Sequence, residues 1–159
     1  MTVTQTPARA GGPAASTIIR DADSRRTQVP SGLVTTLASP AQGGSGLVVW
    51  RMDIAPGAAG PAHAYDTEQV WTVIAGQATV ELDGGPVTVG AGDTLVIPAG
   101  ATRQMIAGPR DGVSAISVTP AGPHAYSPAP IQVDPHCATP AGDKLIRSEE
   151  HTSELQSPC

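Results

Sequence analysis

The sequence predicts an all-β fold made of many short strands, and three observations support this prediction. Gly contributes 18 and Pro 16 of the 159 residues, and these two residue types are the poorest helix formers. Short runs rich in Val, Ile and Thr alternate with turn signals along most of the chain. No segment shows the apolar period of an amphipathic helix. About eight or more short strands separated by turns are typical of a barrel or a sandwich.

The first third of the chain gives the weakest strand signals. Residues 1–16 are mostly Thr, Ala, Gly and Pro without periodicity, so we expect them to form a disordered arm. Residues 17–20 are a candidate edge strand. We expect residues 21–31 to form a loop, because they combine Asp, Ser, Arg and Pro. The next predicted strand covers residues 33–37.

Residues 46–54 form the clearest single strand. Every second residue of this run is apolar, and these residues are Val48, Trp50, Met52 and Ile54. Because successive side chains of a strand point to opposite faces, such alternation places one set of side chains against a core.

A hairpin is predicted in the middle of the chain. Residues 69–74 and 78–82 are predicted strands, and Gly76 is expected to end the first of them. The turn Asp83-Gly84-Gly85 then leads to a strand at 86–89, since Asp-Gly between two alternating runs is a strong hairpin signal. The remaining predicted strands cover residues 94–97, 103–106 and 113–118.

The chain is interpreted as one domain with loose ends. The domain is expected to cover residues 17–133, followed by a loose segment at 134–146. Residues 147–157 resemble the translation of a sequencing adapter, so we interpret residues 147–159 as an artefact and exclude them from fold reasoning.

Composition and charge exclude several functional classes. The formal net charge is −5 with nine Lys and Arg residues and no basic stripe, so we expect no nucleic-acid binding. No apolar run is long enough to span a membrane as a helix. The N-terminal residues lack the apolar stretch of a secretory signal, and Cys137 is the only Cys outside the adapter-like segment, which suits a reducing compartment. We therefore expect a cytoplasmic protein.

Two spaced patterns of Gly, Pro and polar residues lie between residues 57 and 107. They are Gly57-x5-His63-x-Tyr65-x3-Gln69-x6-Gly76 and Gly92-x5-Pro98-x-Gly100-x2-Arg103-x3-Ala107. Their spacings resemble the two motifs of the cupin family (RmlC-like superfamily), G-x5-H-x-H-x3-E-x6-G and G-x5-P-x-G-x2-H-x3-N. The resemblance implies a double-stranded β-helix, a small jelly-roll barrel with a pocket between two sheets. It also implies a homodimer, for which the expected surfaces are the apolar edge of strand 46–54 and the segment 17–37.

The polar positions of the motifs depart from the family pattern. In metal-binding cupins they hold three His and one Glu, whereas here they hold His63, Tyr65, Gln69 and Arg103. An amide oxygen is a weak ligand, and an Arg side chain is a fixed cation with no lone pair to give. We therefore expect no metal cofactor. The alternative is a metal held by His63 and Glu68, which requires a one-residue bulge that turns Glu68 inward.

The same positions predict a ligand pocket. Alternation places His63, Tyr65, Gln69 and Trp71 on one face, and Arg103 and Met105 are expected to face the same cavity from a neighbouring strand. Arg103 would offer a bidentate fork to a carboxylate, and Trp71 would stack on a ring. The alternative roles are structural: a salt bridge of Arg103 with Glu68 or Asp66, a hydrogen-bonded core position for His63, and core filling by Trp71.

Three functional hypotheses follow. The first is a metal-free cupin that binds a small anionic or carboxylate-bearing molecule. The second is a metal-independent isomerase, epimerase or cyclase, in which His63 is the general base and either Tyr65 is the acid or Arg103 stabilises developing negative charge. The third is a metal-dependent, dioxygenase-like cupin with the rearranged ligands His63 and Glu68. Whether the protein is an enzyme is left open by the sequence.

Overall fold

The computed structural model describes residues 15–127, whose regular secondary structure consists almost entirely of strands. One 3-10 turn at Asp21–Asp23 precedes them. The strands are β1 (Arg25–Val29), β2 (Gly32–Ala38), β3 (Leu47–Ile54), β4 (Ala64–Tyr65), β5 (Gln69–Leu82), β6 (Gly85–Gly90), β7 (Thr94–Ile97), β8 (Arg103–Ala107), β9 (Val113–Pro120) and β10 (Ala125–Tyr126). Among these residues there is no helix that could cross a membrane.

The strands form two antiparallel layers. The larger layer has the order β1-β2-β3-β9, followed by the first half of β5, which pairs with β7 on its other side. In the second layer β6 and β8 flank the second half of β5. Residues 57–63 run beside β8 through the bridges Ala59–Ile106 and His63–Arg103, and β4 pairs with β10. This arrangement confirms the predicted all-β jelly roll.

Strand β5 belongs to both layers and bends from one to the other at Gly76. Its residues up to Gly76 pair with β9, and from Gln77 onward they pair with β6. A register shift between Val73 and Ala75 and a φ of 72° at Gly76 produce the bend. The prediction that Gly76 ends a strand is therefore wrong: a positive φ turns the backbone while its hydrogen bonding continues.

The N-terminal strand lies where a loop was expected. Residues 17–20 are not a strand, and β1 falls inside the segment 21–31. β1 is an edge strand that pairs only with β2, so several of its side chains are exposed and polar. β3 lies between β2 and β9, which removes the edge that was expected to serve a dimer.

The predicted hairpin and the predicted core face are confirmed. Leu82 pairs with Gly85 across the turn at Asp83 and Gly84. On β3, Val48 and Trp50 are buried as the alternation predicts. The core lies between the layers and consists of Trp71, Val73, Ala78, Val80, Ile97, Met105, Ala107, Val113 and Ala115.

Several predictions concern residues outside the described part of the chain. These are the disordered arm, except for its last two residues, the loose segment 134–146, the adapter-like segment 147–159 and the lone Cys137. The domain limits at 17 and 133 also stay predictions.

Candidate functional site

A cavity lies between the two layers. Its empty volume is about 670 Å³ when the solvent at its open mouth is included. Its walls are mainly apolar and are formed by Val29, Ser31, Val34, Trp50, Met52, Ile54, Gly60, Pro61, His63, Tyr65, Gln69, Trp71 and Met105. We call the group of His63, Tyr65 and Gln69 the polar end of the cavity.

The structure brings five of the six predicted ligand-binding residues to this cavity. His63, Tyr65, Gln69, Trp71 and Met105 all line it. The larger layer contributes Gln69 and Trp71 from β5, since residues two apart on a strand share a face. The opposite wall contributes His63, Tyr65 and Met105. Their predicted roles in binding stay predictions.

Backbone pairing holds the His63 segment against β8. The His63 amide donates to the Arg103 carbonyl at 3.0 Å, and the Arg103 amide donates to the His63 carbonyl at 2.9 Å. The Gly60 amide donates to the Met105 carbonyl at 3.0 Å. The turn that starts this segment uses a φ of 70° at Gly57, a conformation that glycine adopts at no steric cost.

Arg103 is the predicted site residue that the structure places elsewhere. Its side chain is 0% exposed, and it is not among the residues that line the cavity. Nη1 donates to the Ala101 carbonyl at 2.8 Å, and Nη2 donates to Gln69 Oε1 at 2.9 Å. The guanidinium carbon lies 4.9 Å from the centroid of the Tyr65 ring. Arg103 therefore does not offer the predicted bidentate hydrogen bonds to a ligand, because both terminal nitrogens already donate to oxygen atoms of the protein.

The Arg103 cation has no carboxylate partner within residues 15–127. The ion pairs there join Arg26 to Asp21, Arg51 to Asp53 and His124 to Asp66. The alternative salt bridge of Arg103 with Glu68 or Asp66 is thus not formed. Burial lowers the pKa of Arg103 to about 10, so the side chain remains a cation at neutral pH. Among the described residues, its charge is compensated only by carbonyl oxygens and by the face of an aromatic ring.

The side-chain amide of Gln69 has a defined orientation. Oε1 accepts from Arg103 Nη2 at 2.9 Å and from Trp71 Nε1 at 3.2 Å. Both partners are donors only, so the oxygen must face them. Nε2 is buried and has no hydrogen-bond partner among the described residues.

His63 is a neutral imidazole with one nitrogen free to accept. Nδ1 lies 2.8 Å from the Pro61 carbonyl oxygen, which can only accept, so Nδ1 carries the proton. No residue of the described range hydrogen-bonds to Nε2. Burial lowers the pKa of His63, and the positive charge of Arg103 lowers it further. The hydrogen bond to Pro61 raises the pKa but does not cancel this effect.

Tyr65 is a buried, neutral phenol. Burial raises its pKa above the ordinary value, although the charge of Arg103 and the amide of Gln69 favour the ionised form. The ring packs edge-to-face on His63 with centroids 5.2 Å apart and lies 6.4 Å from Trp50. At neutral pH the polar end therefore presents neutral groups in front of a buried cation.

These residues do not fit a divalent metal. Glu68 is exposed and lies just before β5, so the alternative pair of His63 and Glu68 is not formed. The register shift of β5 lies at Val73 to Ala75, too late to turn Glu68 inward. Within residues 15–127 no three His, Cys, Asp or Glu side chains are grouped for a metal, and an amide and a guanidinium stand where a Glu and a His would be required.

The sequence predicted Met52 of β3 as an apolar wall of the pocket, but it did not identify the cavity residues of the β1–β2 hairpin. Val29, Ser31 and Val34 line the cavity, and Trp50 forms a wall that was predicted only as core. The available signal was the Pro30-Ser31 turn, which joins Val29 to Gly32 and separates two short runs of strand composition.

Comparisons with known proteins agree with this architecture. A family model described as a cupin domain matches residues 50–119. The polyketide cyclase RemF from Streptomyces resistomycificus is similar in structure, with a TM-score of 0.63 and 18% identity over 72% of this chain and 87% of that one. A variant of the Bacillus subtilis oxalate decarboxylase has a TM-score of 0.61 and 20% identity over 73% of this chain, which spans only 32% of that protein. No curated protein matches the sequence.

Proposed function

This chain contains a cupin domain, and we propose that its cavity binds a small molecule with an apolar, ring-bearing body and one anionic group. The anionic group would lie at the polar end, and the body would lie against the apolar walls. The buried cation of Arg103, which no carboxylate of the described chain compensates, is the observation that carries this proposal.

The energetic reason is the cost of an isolated buried charge. Removing an ion from water costs several kcal/mol even after the protein relaxes, and carbonyl groups with one ring face offset only part of that cost. An anion at the polar end would lie beside Tyr65 and Gln69, the two residues that separate Arg103 from the cavity. Arg103 would act on it through space across this thin wall, because Coulomb attraction is strong where water is excluded.

The apolar walls favour a ring-bearing body. Trp50 and Trp71 face the cavity from β3 and β5, and indole rings pack well on flat apolar groups. Met52 and Met105 complete the walls with flexible, polarizable side chains that adapt to irregular shapes.

The test compares two probes of nearly equal shape, naphthoate and neutral naphthamide, by calorimetric titration. We expect the wild type to bind naphthoate about ten-fold more tightly, which corresponds to roughly 1.4 kcal/mol. Arg103→Met should remove this preference. Arg51→Met, which changes an exposed arginine on the outer face of β3, is the matched control and should keep it.

The wild-type comparison is decisive without the variants, because Arg103→Met also removes two hydrogen bonds. If naphthamide binds as tightly as naphthoate, the anionic group is not recognised. If neither probe displaces the other or shifts the melting temperature, the cavity does not bind ring-bearing molecules.

A second candidate function is metal-independent acid–base catalysis of the isomerase, epimerase or cyclase type, favoured by the state of His63. A neutral imidazole with a free Nε2 at a cavity wall is a suitable general base. His63 Nε2 would accept a proton from the carbon beside a carbonyl group, and the electrons of the broken C–H bond would form an enolate near Arg103. The protonated imidazole would then return the proton to the substrate. The similarity to a polyketide cyclase fits this chemistry.

Hydrogen–deuterium exchange at the carbon beside the carbonyl of α-tetralone tests this second candidate. We expect exchange in heavy water to be accelerated by the wild type and not by His63→Gln. Exchange that is equally fast with His63→Gln would remove His63 as the base.

A further inference from the structure

We infer that Gln69 selects ligands by their hydrogen-bonding character: its Nε2 donates to an acceptor oxygen of the ligand, and Arg103 is the positioning residue that fixes this polarity. The inference rests on the proposed function only in requiring that ring-bearing molecules enter the cavity. It concerns neutral as well as anionic ligands, so it is separate from the preference for charge.

The polarity of the amide follows from its neighbours. Arg103 Nη2 and Trp71 Nε1 both donate to Oε1, at 2.9 and 3.2 Å. A rotated amide would direct its own N–H groups at two donors and lose both hydrogen bonds. The NH2 group of Gln69 is therefore held in one direction by two independent contacts from β8 and β5.

The held NH2 group has no acceptor in normal hydrogen-bond geometry. Nε2 is fully buried, and Gln69 lines the cavity. The Tyr65 hydroxyl interacts with the amide, but Nε2 forms no hydrogen bond of normal distance and angle with it or with any other acceptor among residues 15–127. A buried donor without a partner destabilises a protein and calls for a specific reason. Within the described part of the chain, three other buried polar atoms lack partners, on Thr36, Arg103 and Ser117, but these residues do not line the cavity. Gln69 is thus the site where a ligand atom would satisfy an otherwise unpaired group.

The ligand class follows from this geometry. A carbonyl or carboxylate oxygen at the polar end satisfies Nε2, whereas an apolar group of the same shape leaves the donor unpaired. A site built to hydrogen-bond one group discriminates strongly against an analogue that lacks it. We therefore expect carbonyl-bearing rings to be preferred over their hydrocarbon analogues.

The experiment uses α-tetralone and its exocyclic-methylene analogue, in which C=CH2 replaces C=O in a molecule of almost the same shape. Both are neutral, so the long-range attraction of Arg103 for anions does not decide between them. Affinities are measured by displacement of naphthoate or by ligand-detected NMR. We expect the wild type to prefer α-tetralone about ten-fold, as a satisfied against an unsatisfied buried donor requires.

Variants separate the donor from its orientation. Gln69→Met removes the donor and should make the two affinities equal. Gln69→Glu keeps acceptors for Arg103 and Trp71 but has no N–H group, so it should bind α-tetralone worse than the analogue. Arg103→Met leaves only the Trp71 contact to orient the amide and should reduce the preference without abolishing it. Gln28→Met, which changes an exposed glutamine amide bonded to Gly32, is the control and should keep the full preference.

Each outcome decides the inference. Equal binding of the two probes to the wild type overturns the inference but leaves the proposed anion binding intact. A preference that survives Gln69→Met has the same consequence: the ligand oxygen would then not depend on Gln69, and a bound water would be the partner of Nε2 in the wild type. Failure of both probes and of naphthoate to bind overturns the proposed function and this inference together.

Discussion

Replacing Gly76 by Ala tests the corner at which β5 passes between the two layers. Gly76 has a φ of 72°, and a Cβ there would collide with the carbonyl oxygen of Gly112. That oxygen accepts a hydrogen bond from the Gln77 amide at 3.3 Å, so moving it away weakens the corner itself. Gly57 provides a matched control, because its φ is 70° and nothing lies within 4 Å of the position of its Cβ.

The two substitutions separate backbone strain from collision. An L-residue with such a φ costs about 1 kcal/mol, which applies to both positions. Forcing a methyl group against fixed backbone adds roughly 1–3 kcal/mol at Gly76 alone. We expect Gly57→Ala to lower the free energy of unfolding by about 1 kcal/mol and Gly76→Ala by about 3 kcal/mol.

Urea denaturation followed by tryptophan fluorescence measures the difference, since Trp50 and Trp71 are buried. The extra loss of about 2 kcal/mol corresponds to a melting temperature about 8 °C lower for Gly76→Ala than for Gly57→Ala. Equal losses at the two glycines would show that the corner does not approach Gly112, and the assignment of β5 to both layers would be wrong.

Five further outcomes are expected. The preference for naphthoate over naphthamide should disappear as the pH rises through about 10, where Arg103 loses its proton. Adding EDTA during the affinity measurement should leave this preference unchanged. Folding lowers the pKa of His63 below its ordinary value of 6.5. As the pH falls below 6.5, His63 is therefore protonated in the unfolded chain before it is protonated in the folded chain, and the free energy of unfolding decreases. His63→Gln should flatten this part of the curve of stability against pH. Glu68→Ala should leave the affinity for naphthoate unchanged, because Glu68 is exposed. Light scattering after gel filtration should give twice the chain mass if the predicted homodimer forms.

The sequence predicts those features of the fold that depend on local chemistry. The hairpin at Asp83 and Gly84 follows from two adjacent residues, and the inward face of β3 follows from alternation. Strand β1 escapes prediction because a polar edge strand has the composition of a loop. The continuity of β5 escapes it because Gly76 could end a strand or bend one, and only the pairing partners on both sides decide between these outcomes.

The candidate site shows the same division. Period two correctly pairs His63 with Tyr65 and Gln69 with Trp71. The prediction that all four share one face is wrong, because the two pairs lie on different elements and meet only across the cavity. Spacing does not predict the path of a long side chain. Arg103 lies on the expected strand, but its guanidinium extends behind Tyr65 to Ala101 and Gln69 instead of into the cavity.

The position of Arg103 gives a physical reason for the departure from the metal-binding motif. In metal-binding cupins the four polar positions surround a cation taken from solution, whereas in this chain the last position supplies the cation as part of the protein. Such a cation cannot exchange or be chelated, and it keeps its charge at neutral pH even though it is buried. Once the positive charge is built in, the other positions no longer need to be ligands. In the proposed function, the amide that Arg103 orients and the phenol over which it lies are the groups across which this charge would act on a ligand.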